Sequence, residues 1–362
     1  MEQPDIPRMK RGGGRGHSTT TGTGVNLVLL SEHHGHRNST SPSIPADSKG
    51  TPMTMTGTSS TPYLDALRRD GFVKIPNLLS PQLLLGLKGA SKYTTDRARR
   101  GQWPYVRTVP KQYPPWHEWQ AGDNIWGVQH LLHPDMGTRD TFAELYFSDE
   151  VLSVVKELVG LKDDHQGDEK LVMELFNLLV SPAENQDFEL CWHRDDIRPD
   201  VTPEEEEKQL KEKSPGGQQL HAQYNIALFD DASLIVVPES HRRVRTETER
   251  NAAPYEANLP DQLLVRLAPG DAVFYDSNIL HRGVYKGIDA SQELGRMTLH
   301  GSIGLAGYGP ERARQVLQHG VGDWVERAQF SMEGPKGNRA EAMRKRLVAM
   351  GTGKDLGYSL VG

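Results

Sequence analysis

Val265-Arg266-Leu267-Ala268-Pro269-Gly270-Asp271-Ala272-Val273-Phe274-Tyr275-Asp276 contains two short apolar runs hinged on a Pro-Gly-Asp turn. Proline followed by glycine and aspartate is turn chemistry, so the flanking runs, Leu263–Leu267 and Ala272–Tyr275, read as strands. The same texture extends in both directions. Leu171–Val180, Gln223–Leu228, Leu234–Val237 and Met297–Ile303 are further strand candidates separated by turn residues. Many short strands predict a mainly β chain folded as a sandwich or jelly roll. Ahead of residue 169 the pattern is helical. Tyr63–Asp70 reads as a helix stopped by Gly71, with a strand over Phe72–Ile75, and Ser80-Pro81 opens a second helix. Phe142, Leu145, Tyr146, Val151, Val154 and Val155 recur at near-helical spacing. The expected organisation is a low-complexity tail (1–62), a mostly helical part (63–168), a β core (169–305) and a C-terminal helical extension (306–362). Residues 197–221 interrupt the core. There Thr202-Pro203-Glu204-Glu205 is a capping box, and Glu204/Lys208 and Glu207/Lys211 stand four apart, predicting a solvated helix that ends at Ser214-Pro215-Gly216-Gly217. A solubilising insertion is the plainer reading of it, a lid the sharper one.

The chain has 362 residues, 36% hydrophobic and 25% charged, with 42 basic against 48 acidic side chains and a net charge of −6. That balance argues against a partner recognised by phosphate neutralisation, so no nucleic-acid partner is expected. A single cysteine, Cys191, excludes an internal disulfide framework and any multi-cysteine metal site. No apolar run approaches the ~18 residues of a membrane helix, so no membrane partner is expected. An intracellular, cytoplasmic protein is the expectation, and the terminal Ser359-Leu360-Val361-Gly362 is not a peroxisomal signal. Residues 1–62 hold 33 Gly, Ser, Thr or Pro and read as disordered, with Met53 or Met55 as alternative starts. The Glu32-His33-His34-Gly35-His36 cluster has metal-binding residue types without organised support.

Cys191-Trp192-His193-Arg194-Asp195-Asp196 carries the chemistry. In extended chain, residues two apart share a face, so His193 and Asp195 present an imidazole and a carboxylate to one point. His281, after the turn-linked strand pair and ahead of a turn at Gly283, is the leading third ligand. Two histidines and one carboxylate leave three open positions on iron, the arrangement of non-heme Fe(II) oxygenases. Those positions suit a bidentate 2-oxo acid and O2. If that acid is 2-oxoglutarate, its far carboxylate needs a fixed cation, and an arginine fork matches it. Alternation along Arg296-Met297-Thr298-Leu299-His300 puts Arg296 and Thr298 on one face as that clamp.

The order Arg69–Val73, His193–Asp195, Val237–His241, Gly270–Phe274, His281 and Arg296–His300 resembles the phytanoyl-CoA dioxygenase (PhyH-like) family over about 63–305. The resemblance implies a double-stranded β-helix core with N-terminal helices. It also implies Fe(II), with 2-oxoglutarate and O2 as co-substrates, and hydroxylation of a small-molecule substrate with release of succinate and CO2. Carried over, His193, Asp195 and His281 bind iron and Arg296 binds the co-substrate. The family name points to an apolar or acyl-type substrate. Glu239 departs from the glycine usual in that turn, and the tract Lys286–Leu294 is longer than in compact relatives, so a one-residue slip there would turn Arg296 outward.

Other residues carry two readings. His241 either approaches the 2-oxoglutarate site or is a satisfied structural histidine. Asn177, mid-strand, either bonds the co-substrate or serves the backbone. Asp196 is an alternative carboxylate pointing the wrong way. Trp103, Trp116, Trp119 and Trp126, with Tyr105, Tyr113, Gln129, His130 and His133, either wall an apolar substrate pocket or pack the core. Cys191 reads as an inert core thiol. Two rival functions remain: a metal-dependent hydrolase using the same ligands, and a non-catalytic binding protein on the same β-helix.

Overall fold

The computed structural model describes residues 61–108, 116, 118–182, 187–288, 295–307, 312, 315–317 and 319–351. The tail read as disordered, the histidine cluster at 33–36, the alternative starts, Tyr113 and the chain end lie outside the described residues, as do residues 289–294.

Helix α1 (Pro62–Asp70) ends where Gly71 turns left-handed at φ 81°. Strand β1 (Phe72–Ile75) follows, then α2 (Pro81–Arg99), whose Ser80 side chain accepts from the Leu83 amide with Pro81 in the first turn. After β2 (Val106–Thr108) and β3 (Ile125–Val128) come α3 (Arg139–Tyr146), α4 (Asp149–Leu158) and α5 (His165–Asp168). The β core then runs through β4 (Leu171–Val180) and β5 (Phe188–Glu189). Helix α6 (Pro203–Lys213) follows, then β6 (His221–Ala227), β7 (Asp231–Val237), α7 (Glu247–Asn251), β8 (Leu263–Leu267), β9 (Ala272–Tyr275), β10 (Leu280–Tyr285) and β11 (Met297–Leu305). Helix α8 (Gly334–Gly351) closes the described chain.

Two antiparallel sheets result, ordered β1-β9-β6-β11-β4-β3-β2 and β5-β10-β7-β8. This is the expected jelly-roll architecture with flanking helices, and the two sheets do not close into a barrel. The segment 63–168 does more than supply helices: three of its strands extend the larger sheet at both edges. One face of that sheet buries Phe176, Tyr224 and Phe274 against Phe142 and Tyr146 of α3, in the main apolar core. Gly301 has no room for a side chain there, since a Cβ would lie 2.5 Å from the Tyr224 ring. The opposite face is the one that matters for function.

Two local readings change. Gly283 does not open a turn but sits inside β10, paired with Leu234, because its bare α-carbon lets the Tyr285 ring fold back over it. In the insertion, Thr202 caps α6 by accepting from the Glu205 amide at 3.2 Å, and Lys211 meets Glu207 at 2.6 Å. Lys208 instead lies between Glu205 and Glu212.

Glu239 stands at φ 63°, the left-handed conformation that favours glycine, and its amide donates to the Asp70 carbonyl at 2.9 Å. The turn geometry of a glycine is thus kept at the cost of a strained glutamate, about 1–2 kcal/mol for a residue with a Cβ. Glu239→Gly is therefore expected to stabilise the fold by about 1 kcal/mol, read as a raised urea midpoint at unchanged slope.

Candidate metal centre

His193 and His281 pair through their backbones: each amide donates to the other's carbonyl at 3.0 Å. This bridge brings two remote stretches into one ladder and sets the imidazole centroids 4.3 Å apart. Each ring is then fixed by the same device. His193 Nδ1 bonds the Cys191 carbonyl at 2.7 Å and His281 Nδ1 bonds the Ile279 carbonyl at 2.8 Å. A carbonyl only accepts, so each Nδ1 carries its proton and each Nε2 keeps a free lone pair. Asp195, held by its amide on the Ser277 carbonyl at 2.8 Å, puts Oδ1 3.5 Å from His193 Nε2 and 3.7 Å from His281 Nε2. The three donor atoms lie within 4.8 Å of one another. Gln223 Nε2 donates to the other oxygen, Asp195 Oδ2, at 2.8 Å and orients the carboxylate.

Electrostatics follow from this crowding. Burial opposes the Asp195 charge, yet His281 and then His193 and Gln223 outweigh it and hold the carboxyl below its ordinary range. Burial and then the neighbouring His193 push His281 down to about 4, which favours its neutral imidazole. For His193 burial works downward, but its contact with Asp195 wins and raises it.

Arg296 does not face outward. Its side chain is 9% exposed, with Nε donating to Asp231 Oδ2 at 2.9 Å and the guanidinium 4.6 Å from the Tyr285 ring centroid. Thr298 Oγ1 donates to the same Asp231 oxygen at 2.5 Å. Asp231, which the sequence reading missed, thus holds both Arg296 and Thr298, while Arg296 Nη1 is buried with no hydrogen-bond partner among the described residues. Asn177 accepts from the His130 amide at 3.0 Å, serving the backbone, and it stands opposite His300 on β11.

Three readings are corrected. His241 is not beside the ligands: its Nε2 meets the Arg68 carbonyl at 3.3 Å and its ring packs on Gly71, so it braces the end of α1. Cys191 is exposed rather than in the core, although partial burial raises its thiol pKa; its part in the site is its carbonyl. Helix α6 is not merely solvated. Asp196, by contrast, points away as expected, accepting from Ser277 Oγ at 2.6 Å. Trp103 and Trp126 are buried, Trp119 is exposed, and His130 and His133 pack against Trp103, Tyr105, Trp116 and Trp324. Trp103, Trp126, His130 and His133 are core, and Trp126 packs at a tilt against Tyr285, its ring centroid 5.5 Å away.

The same alternation that turns His193 and Asp195 to one side turns Arg194 to the other. Its Nε donates to Glu206 Oε1 at 2.9 Å and its Nη1 to the carbonyls of Ser240 and Asn278. Glu206, fully buried on α6, also takes Arg245 at 2.9 Å and Arg250 at 2.5 Å. One carboxylate thus pins three guanidiniums, one of them between His193 and Asp195 in sequence. A run of four glutamates gave no sign of which would turn inward. Glu206→Ala leaves buried cations without a counter-charge, a loss of about 3–5 kcal/mol in urea unfolding. In the surviving folded fraction Co(II) affinity, measured by calorimetry, is expected to fall as Arg194 loses its anchor.

Residues 67–284 match the phytanoyl-CoA dioxygenase (PhyH) family. No curated protein matches the chain in sequence. Among solved structures it is similar to AviO1 from Streptomyces viridochromogenes Tue57, at 19% identity and TM-score 0.44, covering 69% of this chain and 96% of that one. The non-heme alpha-ketoglutarate-dependent epimerase SnoN of nogalamycin biosynthesis is similar at 17% identity and TM-score 0.42, covering 67% and 82%. EctD from S. alaskensis, solved with 2-oxoglutarate and 5-hydroxyectoine, is similar at 15% identity and TM-score 0.47, covering 71% and 79%. The match over 67–284 spans more than half of the chain, which belongs to the phytanoyl-CoA dioxygenase (PhyH) family.

Proposed function

We propose that the chain is an Fe(II)- and 2-oxoglutarate-dependent oxygenase that hydroxylates a small-molecule substrate, with His193, Asp195 and His281 as the metal ligands. One observation carries this reading. Two Nε2 lone pairs and one carboxylate oxygen converge on a single point, with both Nδ1 protons committed to backbone carbonyls. Nitrogen and oxygen donors in this ratio fit ferrous iron and leave the positions that an oxo acid and O2 need. When bound, the iron and co-substrate supply the oxidising power for C–H hydroxylation. What the residues contribute is placement. The carbonyls of Cys191 and Ile279 hold the imidazoles in the ligating tautomer, and Gln223 keeps Asp195 from swinging.

Arg296 and Thr298 are assigned to the far carboxylate of 2-oxoglutarate. The buried Nη1, without a hydrogen-bond partner among the described residues, supports this, since an unmet guanidinium donor calls for an anionic acceptor. Asp231 positions the pair by taking Arg296 Nε and the Thr298 hydroxyl. Asn177, whose Nδ2 is also buried without a partner among the described residues, remains a candidate for the same co-substrate. His241 is no longer one.

Anaerobic addition of Fe(II) and 2-oxoglutarate is expected to produce a weak visible charge-transfer band. His193→Ala and Asp195→Ala should abolish it, and Arg296→Ala should raise the 2-oxoglutarate concentration needed by about tenfold or more, as loss of a charge-assisted bond costs about 1.5–3 kcal/mol. A folded wild type without the band, or one that hydrolyses a substrate without forming succinate, refutes the oxygenase reading in favour of the hydrolase or binding-protein alternatives.

A further inference from the structure

On the face of the larger sheet that looks toward the ligands, Ala227, Val273 and Tyr275 pack into a second apolar cluster, and the half-buried side chains of β6 and β11 are polar. The bond from Gln223 to Asp195 identifies which face of β6 this is. With a two-residue period it carries His221, Gln223 and Asn225. On β11 the residue opposite Asn225 is His300, and the two side chains join at 2.9 Å. The register break between Gly301 and Ile303 accompanies Glu174 turning to this side, where it lies against Gly304, the partner of His221. Arg312 then meets Glu174 with Nε at 2.8 Å. His221, Gln223, His300 and Arg312 are only half-buried, so they present polar atoms beside the candidate metal.

We infer from this lining, resting on the oxygenase reading above, that the substrate is a neutral, hydroxyl-rich small molecule and not the apolar or acyl chain that the family name brings to mind. An alkyl chain laid over these groups would strand imidazole and amide dipoles without partners. Binding sites for apolar ligands are walled by apolar side chains, and here Trp103 and Trp126 of the aromatic segment are spent on the core. Amides and neutral imidazoles both donate and accept, as hydroxyls do, so the two surfaces are complementary. Among the described residues, Glu174 on this wall has its cation in Arg312, and nearby Asp196 is taken up by Ser277, Asn278 and Gln315, so these carboxylates are already satisfied.

The test uses the full chain loaded with Fe(II) and 2-oxoglutarate, with the visible band as the check on loading. Two probe panels are compared: methyl glycosides and cyclitols such as myo-inositol, and fatty acids and acyl-CoA thioesters of eight to sixteen carbons. At least one hydroxylated probe is expected to raise succinate release tenfold or more over the substrate-free rate and to shift the anaerobic band, with no acyl probe doing either. The double variant His221→Leu/His300→Leu should lower the hydroxylated-to-acyl preference at least tenfold. With the band intact, stimulation by acyl probes alone, stimulation by neither panel, or an unchanged preference in the folded double variant overturns the inference. The panel on the unaltered chain decides the matter if that variant does not fold. A missing band instead fails the oxygenase reading itself, so the two failures are distinct.

Discussion

Two reciprocal hydrogen bonds between His193 and His281 underlie the rest of the candidate site. Together with the Leu190 amide on the Gly283 carbonyl and the Asp195 amide on the Ser277 carbonyl, each at 2.8 Å, they set the distance of the Cys191–Asp196 segment from β10. Because backbone pairing fixes both position and direction, it delivers two imidazoles to one place before any metal binds. The neighbouring carbonyls then complete the task by choosing the tautomer. Convergence of three donors is thus a property of the ladder and does not wait for the ion to collect its ligands, which lowers the ordering cost of binding.

Such placement has to be defended on the reverse side. Arg194 cannot point to the metal without repelling it, and it cannot lie buried without a counter-charge. Glu206 resolves this by travelling in on a helix that looks, from outside, like a solvated insertion. The buried network it forms with Arg194, Arg245 and Arg250 is poor evidence of stability, since desolvating charges offsets much of their attraction. Its directional bonds instead fix where the ligand strand runs.

What could be read from residues alone divides along the same line. Local period and turn chemistry made most core strands legible, and alternation was enough to put His193 and Asp195 together and Arg194 opposite. His281 was reachable as the third member of the group with His193 and Asp195, although its strand was misread at Gly283, because the reason for that glycine is a ring two residues on that folds back. Long-range partners were not legible. Nothing near Asp231 in sequence announces that it will hold Arg296 and Thr298 from another strand, and no periodicity marks Glu206 among its neighbours. The tryptophan-rich segment misled for a related reason: residue type shows that a side chain seeks apolar company, not whether that company is a ligand or the protein's own interior.

Cys191 is the one thiol in the chain, it is exposed, and its carbonyl holds a candidate ligand. Maleimide chemistry would consequently modify this protein at a single position, two residues from His193. A fluorophore or nitroxide attached there would watch the ligand strand directly, with no need to engineer an attachment point or remove competing cysteines.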